Sequence, residues 1–569
     1  MNVAAAAPES LETRLQAAML ELETARAAIE RLVVERDRFR SAFEMTRIEL
    51  ELLKKRIFVA KAERVDTTQL ELEFAAKLAE LDRLAGTTGT PDDKRSTATG
   101  GEGASGPGAT SKPGHSKGGR RDVRKLDLDE QRLELTDPLF EELVASGKAT
   151  RAGFEESSRL TWRGKGMGVL VVARAKYRLT DAHGVTEIEV TPVPAELLER
   201  CLATPSLLAH ILVAKHCDGL PLHRLEAILA REGCTVDRGT MSCWTDNLGG
   251  TLGATICEAM HSDARNAFCM ATDATGVRIL PERDPDAKGK RQPCRRGQMF
   301  VQIADRDHIL FSYMPRGTSE AAKELFASYS GFVQADASSI FDVLFADGDR
   351  EEVGCWSHAR RKFWEAASNH CVIAREALAR IGRIFELDAS WKGRPPNEIR
   401  HSRQTLLKPH VVCLLDWADA EFKRVEGQRG ALRSALGYVH RNRAALMRFL
   451  EDGRLEMTNN GSERQLRAIA VGRKAWLFSG SDGHAESAAA LMSLITSAKL
   501  HGLDPEAYLR DIIRVLRQWK DHPYLALAPK YWAATRELLD RAQLAAEYGP
   551  LDVPAHFPHL PAEKQSRPN

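Results

Sequence analysis

Between residues 9 and 60, apolar side chains recur at alternating steps of three and four. Leu15, Leu22, Ile29, Phe43, Leu50 and Ile57 fill one register, and Leu11, Ala18, Ala25, Leu32, Phe39 and Leu53 the other; Arg36 and Thr46 interrupt it. A sustained heptad of this kind predicts a coiled coil over 9–84. It either joins copies of the chain or folds back on its own chain. The periodicity then stops. Residues 85–125 are rich in Gly, Ser, Thr and Pro and read as a flexible linker. The linker ends in Lys112, Lys117, Arg120, Arg121, Arg124 and Lys125, a run suited to DNA phosphates or to a solvated tether.

Residues 126–194 show short β-like runs, Val169–Val172, Ala175–Leu179 and Ile188–Val190, with a turn at Gly184. They predict a small β module. Residues 195–261 return to helical spacing, with an apolar stretch at Leu207–Lys215. Leu222–Arg231, a break at Gly233 and a helix from Thr240 form either a helix-turn-helix or an ordinary helical hairpin. The second helix is poor in base-reading Arg, Asn and Gln.

Residues 262–363 alternate strand and helix signals. Strands are expected at 267–272, 298–304, 308–313 and 331–335, with a crossover helix at Thr318–Tyr329 and a last strand at Val353–Trp356. Residues 364–455 carry mostly helical pattern, broken between Trp391 and Pro396. They read as an insertion before the last core segment, 456–520. There a helix is expected to start at Asn460, with Glu463 closing a capping box, and to end at Gly472. Glu486–Leu500 is expected to be a core helix. Residues 521–569 predict a C-terminal helix and, after about residue 545, a loose Pro-rich tail.

Composition changes this picture little. A chain of 569 residues with 43% hydrophobic content builds several domains. The net charge of +2 means that any nucleic-acid partner must be argued from local clusters. The 10 cysteines include no C-x-x-C pair, which suggests neither zinc nor a disulfide framework and fits reduced thiols in cytosol. No apolar run approaches the ~18 residues of a membrane span, and Met1-Asn2-Val3-Ala4 does not open a secretory signal.

Three carboxylates stand out. Asp273 and Asp336 each end a short apolar run of strand length, and Glu463 lies beside Arg464, Arg467, Arg473 and Lys474. Three gathered carboxylates repel one another unless a cation neutralises them, and oxygen-only ligands favour a hard cation such as Mg²⁺. Two such ions ~3.5–4 Å apart clamp both oxygens of a phosphodiester displacement. Asp342 and Asp347 rival Asp336; Asp336 is preferred because it ends the strand. Trp476 and Phe478 are either core aromatics or surfaces for an unpaired base.

The chain resembles the large transposase of insertion sequence family 66, a DDE-type transposase. The resemblance is carried by Thr272-Asp273-Ala274-Thr275, Gln334-Ala335-Asp336, the block Gly354–Phe363, Asn459–Phe478, Ser493–Leu500 and Asp504–Leu509. It implies an α/β ribonuclease-H-like catalytic domain with a large helical insertion, preceded by the coiled coil, linker, β module and helical region. It implies catalysis and metal binding by Asp273, Asp336 and Glu463 with two Mg²⁺ or Mn²⁺ ions. DNA contacts are expected from His358, Arg361, Arg464, Arg467, Arg473 and Lys474. The implied partners are terminal inverted repeats, target DNA, further copies of the chain and accessory proteins of the same element, in the bacterial cytoplasm at the nucleoid. Two departures matter. The family normally has a cysteine-rich, zinc-finger-like segment in the β-module region, whereas no cysteine precedes Cys201 here, so no zinc is expected. The family follows its second acid with glycine; here Ala337 follows Asp336. Two other readings stay open: a catalytically inactive DNA-binding regulator, and a coiled-coil assembly scaffold.

Overall fold

The computed structural model describes residues 123–561 apart from 165, 181–185, 195, 282–292 and 368–370, together with residues 73–81 and scattered positions between 28 and 50. The chain divides into two compact units. One comprises Met1–Lys112 with Trp356–Leu455, the other Pro113–Cys355 with Glu456–Asn569.

The second unit begins with a small sheet. β1 (Asp129–Leu135) is followed by α1 (Pro138–Ala145), β2 (Ala149–Arg163), β3 (Gly166–Thr180) and β4 (Thr186–Val190). β3 is central, parallel to β1 and antiparallel to β2 and β4. Its long apolar run is explained by burial on both faces. Val169 and Val171 join the main core, while Leu170 and Val172 pack on Tyr548. The partner strand β2 carries little β-branched signal and was not foreseen.

Next come α2 (Pro205–His216), α3 (Leu222–Arg231) and α4 (Arg238–Leu252), which runs through a wide turn at Gly253–Cys257 into α5 (Glu258–Ala264). A second sheet follows: β5 (Cys269–Ile279), β6 (Arg295–Ala304), β7 (His308–Met314), then α6 (Ser319–Leu325), β8 (Gly331–Gln334) and β9 (Arg350–Val353). Its strand order is β7-β6-β5-β8-β9. The first three strands form an antiparallel meander, and β8 and β9 run parallel to β5.

After Cys355 the chain enters the other unit, built from α7 (Trp356–Ala367), α8 (Val372–Ala389), α9 (Pro396–Ser402), α10 (Lys408–Arg424), α11 (Ala431–Arg441) and α12 (Arg443–Met447). Trp356 anchors it from within, fully buried, its indole N–H on the Leu446 carbonyl at 2.8 Å. Most of the heptad region and the linker through residue 122 lie outside the described residues. The described positions between 28 and 50 are helical. Ile29, Leu32 and Phe39 are exposed, whereas Thr46 and Leu50 are buried and Glu49 pairs with Lys77 and Arg375. The later part of this helix therefore packs on its own chain.

The chain returns as α13 (Asn460–Trp476), α14 (Asp482–Leu500), α15 (Pro505–Val515), α16 (Pro529–Glu537) and α17 (Arg541–Ala545). α13 and α14 cover one face of the second sheet, with Leu466, Ile469, Ala485 and Ala489 packed on Val277, Ile279, Met299 and Val301. Ser493 and Ser497 of α14 accept the N–H groups of Phe311 and Ile309, satisfying the outer edge of β7. α4 packs close against α14: a Cβ at Gly249 would stand 2.6 Å from Ser487.

Three local expectations are corrected. α13 does not end at Gly472, which is buried within the helix, but runs to Trp476. Its capping position is Asn459, whose side chain makes no cap bond: its amide donates to the Thr272 carbonyl, which turns the side chain toward β5. The tail after residue 545 is not loose: Tyr548, Leu551, Phe557 and Leu560 are buried. Prolines at 550, 554 and 558 favour an extended path, and Phe557 meets Trp519 with ring centroids 5.1 Å apart.

Candidate functional site

β5 and β8 bring the first two acids together. Their parallel register pairs Met270 with Val333 and Ala271 with Gln334. Two further steps along each chain reach Asp273 and Asp336. Neighbouring strands lie ~4.8 Å apart, and residues in matched register share a face. Asp273 lies opposite Val301, which belongs to the cluster under α13, so its side chain lies on the α13 face of the sheet. Both acids are half-buried. One oxygen of Asp273 accepts the Ala274 N–H at 2.7 Å, and one of Asp336 accepts the Ser338 N–H at 3.0 Å.

The chain turns sharply after Asp336. Ala337 has φ 53, in the left-handed region that glycine adopts most easily. The position at which the family resemblance leads one to expect glycine is thus one whose backbone favours glycine. Of the rival acids, Asp347 is ion-paired to Arg350 at 3.0 Å and Asp342 is exposed on a short 3-10 turn.

α13 carries Glu463 in its first turn. Glu463, Leu466 and Arg473 fall on one side of the helix by spacing. Leu466 lies in the core beneath the sheet, and Arg473 donates to the Thr275 hydroxyl at 3.2 Å and the Gly276 carbonyl at 2.8 Å. Glu463 is therefore on the side facing β5, and it is half-buried. The helix start is tied down by residues that the sequence did not mark for this task. Buried Asn459 donates its amide to the Thr272 carbonyl at 2.7 Å, next to Asp273. Gln334, two residues before Asp336, donates to the Glu456 carbonyl at 2.6 Å. The Asn459 N–H points at the Cys355 thiol at 3.2 Å. Each acid is thus flanked by a bond joining it to the strand or segment of another.

All donors in this set are oxygens, which fits a hard divalent cation. Asn459 Oδ1 and Ser462 Oγ are buried at the helix start without a hydrogen-bond partner among the described residues. Among the described residues, however, no three His, Cys, Asp or Glu side chains already form a metal-binding group. Asp273 lies within β5, Asp336 lies two residues past the end of the neighbouring β8, and Glu463 faces β5 without completing a cage.

The expected DNA contacts separate into two sets. Arg464, Arg467, Arg473 and Lys474 are exposed along α13. Arg473 also has the structural bonds to β5 given above. His358 and Arg361 stand on α7, in the helical unit; Arg361 is exposed and His358 half-buried. No helix of the described residues is long and apolar enough to cross a membrane.

Comparison with known proteins bears on the whole constellation. Residues 200–487, a span holding all three acids and every expected DNA contact, match the family described as Transposase IS66 family. Residues 493–529, which include the C-terminal part of α14 and all of α15, match the IS66 C-terminal element. Three uncharacterised proteins of Sinorhizobium fredii are similar. The protein y4qI is 29% identical over 387 residues, covering 66% of this chain and 71% of the relative. The protein y4hP is 26% identical over 439 residues, covering 72% and 76%, and y4jD is 28% identical over 337 residues, covering 57% and 64%. A family model spanning half of the chain, together with the C-terminal element that follows it, places this chain in the IS66 transposase family.

Proposed function

We propose that the protein is a DDE transposase that cuts and joins DNA at the terminal inverted repeats of an insertion sequence. The observation that carries this reading is the parallel pairing of β5 with β8, which ends two residues before Asp336, with Asn459 at the start of α13 bonded to the residue before Asp273. The strand order, an antiparallel meander whose first strand adjoins two parallel strands, supports a ribonuclease-H-like catalytic fold.

In this reading Asp273, Asp336 and Glu463 hold Mg²⁺ or Mn²⁺. The bound ions supply Lewis acidity for in-line displacement at phosphorus. The chain itself positions the carboxylates. Asn459 and Gln334 fix the ends of β5, β8 and α13, while the half-buried setting limits competing water. Glu463, in the first turn of α13 facing β5, would supply the third carboxylate when metal is bound. Arg464, Arg467 and Lys474 hold phosphates along the exposed side of α13, and His358 and Arg361 offer further contacts from the helical unit. The exposed Ile29, Leu32 and Phe39 favour a second copy as partner of the N-terminal helix. Target DNA and accessory proteins of the same element complete the assembly, in the cytoplasm at the nucleoid.

The one other reading is a regulator that binds ends without cutting them. Strand cleavage and joining on labelled end DNA, with Mg²⁺ or EDTA, separates the two. Accessory proteins encoded beside the gene are included. Metal-dependent cleavage abolished by Asp273→Asn, Asp336→Asn or Glu463→Gln, with end binding retained, is the expected result. Cleavage that survives any one substitution removes that residue from the set, and tight binding without cleavage by wild type supports the regulator.

A further inference from the structure

The end of α13 is unusual in its backbone, its exposure and its charge. Leu477 has φ 65 and ψ −46, and the Phe478 N–H donates to the Trp476 carbonyl at 2.8 Å. This is a γ-turn of the positive-φ kind, rare and strained, centred on a bulky residue rather than glycine. It sets two apolar side chains outward in succession, Leu477 at 58% and Phe478 at 42% exposure. Strain of this kind persists where surrounding bonds over-determine it, and it gathers at ligand clamps. Here Ser479 supplies those bonds. Its N–H donates to the Arg278 carbonyl at 2.8 Å, and its carbonyl accepts the Leu280 N–H at 2.9 Å. The turn is therefore locked onto β5, on the strand that carries Asp273.

Exposed cations lie to both sides of β5 near the turn: Arg278 and Arg296 alternate onto the face away from α13, while Arg473 and Lys474 project from α13 itself. Arg278 lies directly opposite Arg296 across the β5–β6 pair, and both are exposed. Like charges facing each other across strands destabilise a sheet unless an anion lies between or above them. Arg296 lies over Gly276, where an added Cβ would stand 2.8 Å from its Nε. The Gly276 carbonyl accepts from Arg473, and Lys474 is exposed beside it. The neighbouring Arg295 is spent differently, on Asp482 at 2.7 Å. An outward aromatic ring here adjoins a strand that carries exposed arginines. It suits a nucleic-acid strand, with phosphates on the cations and a base on the ring.

We infer that Phe478, presented by the strained turn at Leu477, stacks on an unpaired base of a DNA end whose phosphates are held by Arg278, Arg296, Arg473 and Lys474. The inference rests on the protein acting on DNA. Along β5 the Ile279–Ser479 bridge lies about 20 Å from Asp273 at ~3.3 Å per residue. That is the axial length of about six nucleotides of duplex strand at ~3.4 Å each. The surface would therefore hold DNA a short way from the bond to be cut and keep that stretch open.

The test uses the full chain, in EDTA so that chemistry is silent. Duplexes of the element's terminal repeats carry 2-aminopurine at successive positions, in fully paired and mismatched forms. Wild type should change the fluorescence at one position and bind the mismatched end more tightly. Phe478→Ala should abolish the signal and weaken binding to the mismatched end by at least about fivefold, with little change for the paired end. Phe478→Trp should keep both. The Arg278→Ala/Arg296→Ala pair should reduce the salt slope of binding by about two. Equal behaviour of wild type and Phe478→Ala, or equal losses on paired and mismatched ends, overturns the inference. Wild type that cuts ends but gives no Phe478-dependent signal overturns this inference alone; wild type that binds no DNA end overturns the DNA reading with it.

Discussion

Ala337→Gly should stabilise the protein. Ala337 follows Asp336 with φ 53, and Asp336 accepts the Ser338 N–H across that bend. A left-handed backbone costs a residue with a Cβ about 1–2 kcal/mol, and glycine escapes this cost. Glycine also makes the unfolded chain more flexible, which offsets about 0.5–1 kcal/mol of the gain. The net is a stabilisation of about 0.5–1 kcal/mol. In a folding unit this large, each kcal/mol moves the midpoint by only about 2 °C, so the rise should be about 1–2 °C. Differential scanning calorimetry of wild type, Ala337→Gly and Ala337→Val checks it, with the valine variant expected to melt below wild type. A glycine variant that melts lower, or a valine variant that melts higher, would show that the bend after Asp336 is not left-handed. The placement of Asp336 at the strand end would then fail with it.

Three further outcomes follow from buried contacts. Asn459→Ala leaves the Thr272 carbonyl without its 2.7 Å donor and should cost about 1–3 kcal/mol, read by urea unfolding. A variant as stable as wild type would mean that α13 is not tethered there. Gly249→Ala drives a methyl into Ser487 and should cost about 1–3 kcal/mol; an unchanged melting curve would refute the close approach of α4 and α14. Burial, and then the Lys215 charge, hold the His216 imidazole well below its ordinary pKa near 6.5, so it stays neutral in the fold while the unfolded chain takes up a proton. Its share of stability is complete above about pH 6.5 and is lost as pH falls, with a slope approaching about 1.4 kcal/mol per pH unit. His216→Leu should flatten that part of the urea-unfolding profile between pH 7 and 5, and an unaltered slope would contradict the assignment.

The mixed α/β plan was legible because strand-length apolar runs at 298–304, 308–313 and 331–335 coincide closely with β6, β7 and β8. Asp336 was visible because it follows such a run, and Glu463 because it stands among four cations at a helix start; Asp273 was expected to end its strand, yet β5 runs on past it to Ile279. What stayed hidden was tertiary. β2 reads as polar because only Arg159–Thr161, in its last third, are consecutive buried residues, and its first half is mostly exposed. Gly472 looked like a helix end, yet it is a close-packing position under Trp476, where an added Cβ would meet the indole nitrogen at 2.7 Å. Asn459 looked like part of a helix cap, yet its amide serves a distant strand. The proline-rich tail looked loose because its buried residues, Tyr548, Leu551, Phe557 and Leu560, have no helical or strand period. The arginine pair at 278 and 296 appears only when the register of β5 and β6 is known.

The central claim is that Asp273, Asp336 and Glu463 share one metal site. Iron-mediated backbone cleavage tests it directly: Fe²⁺ replaces Mg²⁺, ascorbate and peroxide are added, and cut positions are mapped with and without end DNA. Cuts clustered near residues 273, 336 and 463, competed by Mg²⁺ and weakened in Asp273→Asn, are the expected result, with the cut near 463 strengthened by DNA. Cuts near 342 or 347 in place of 336, or none near 463 even with DNA bound, would contradict it.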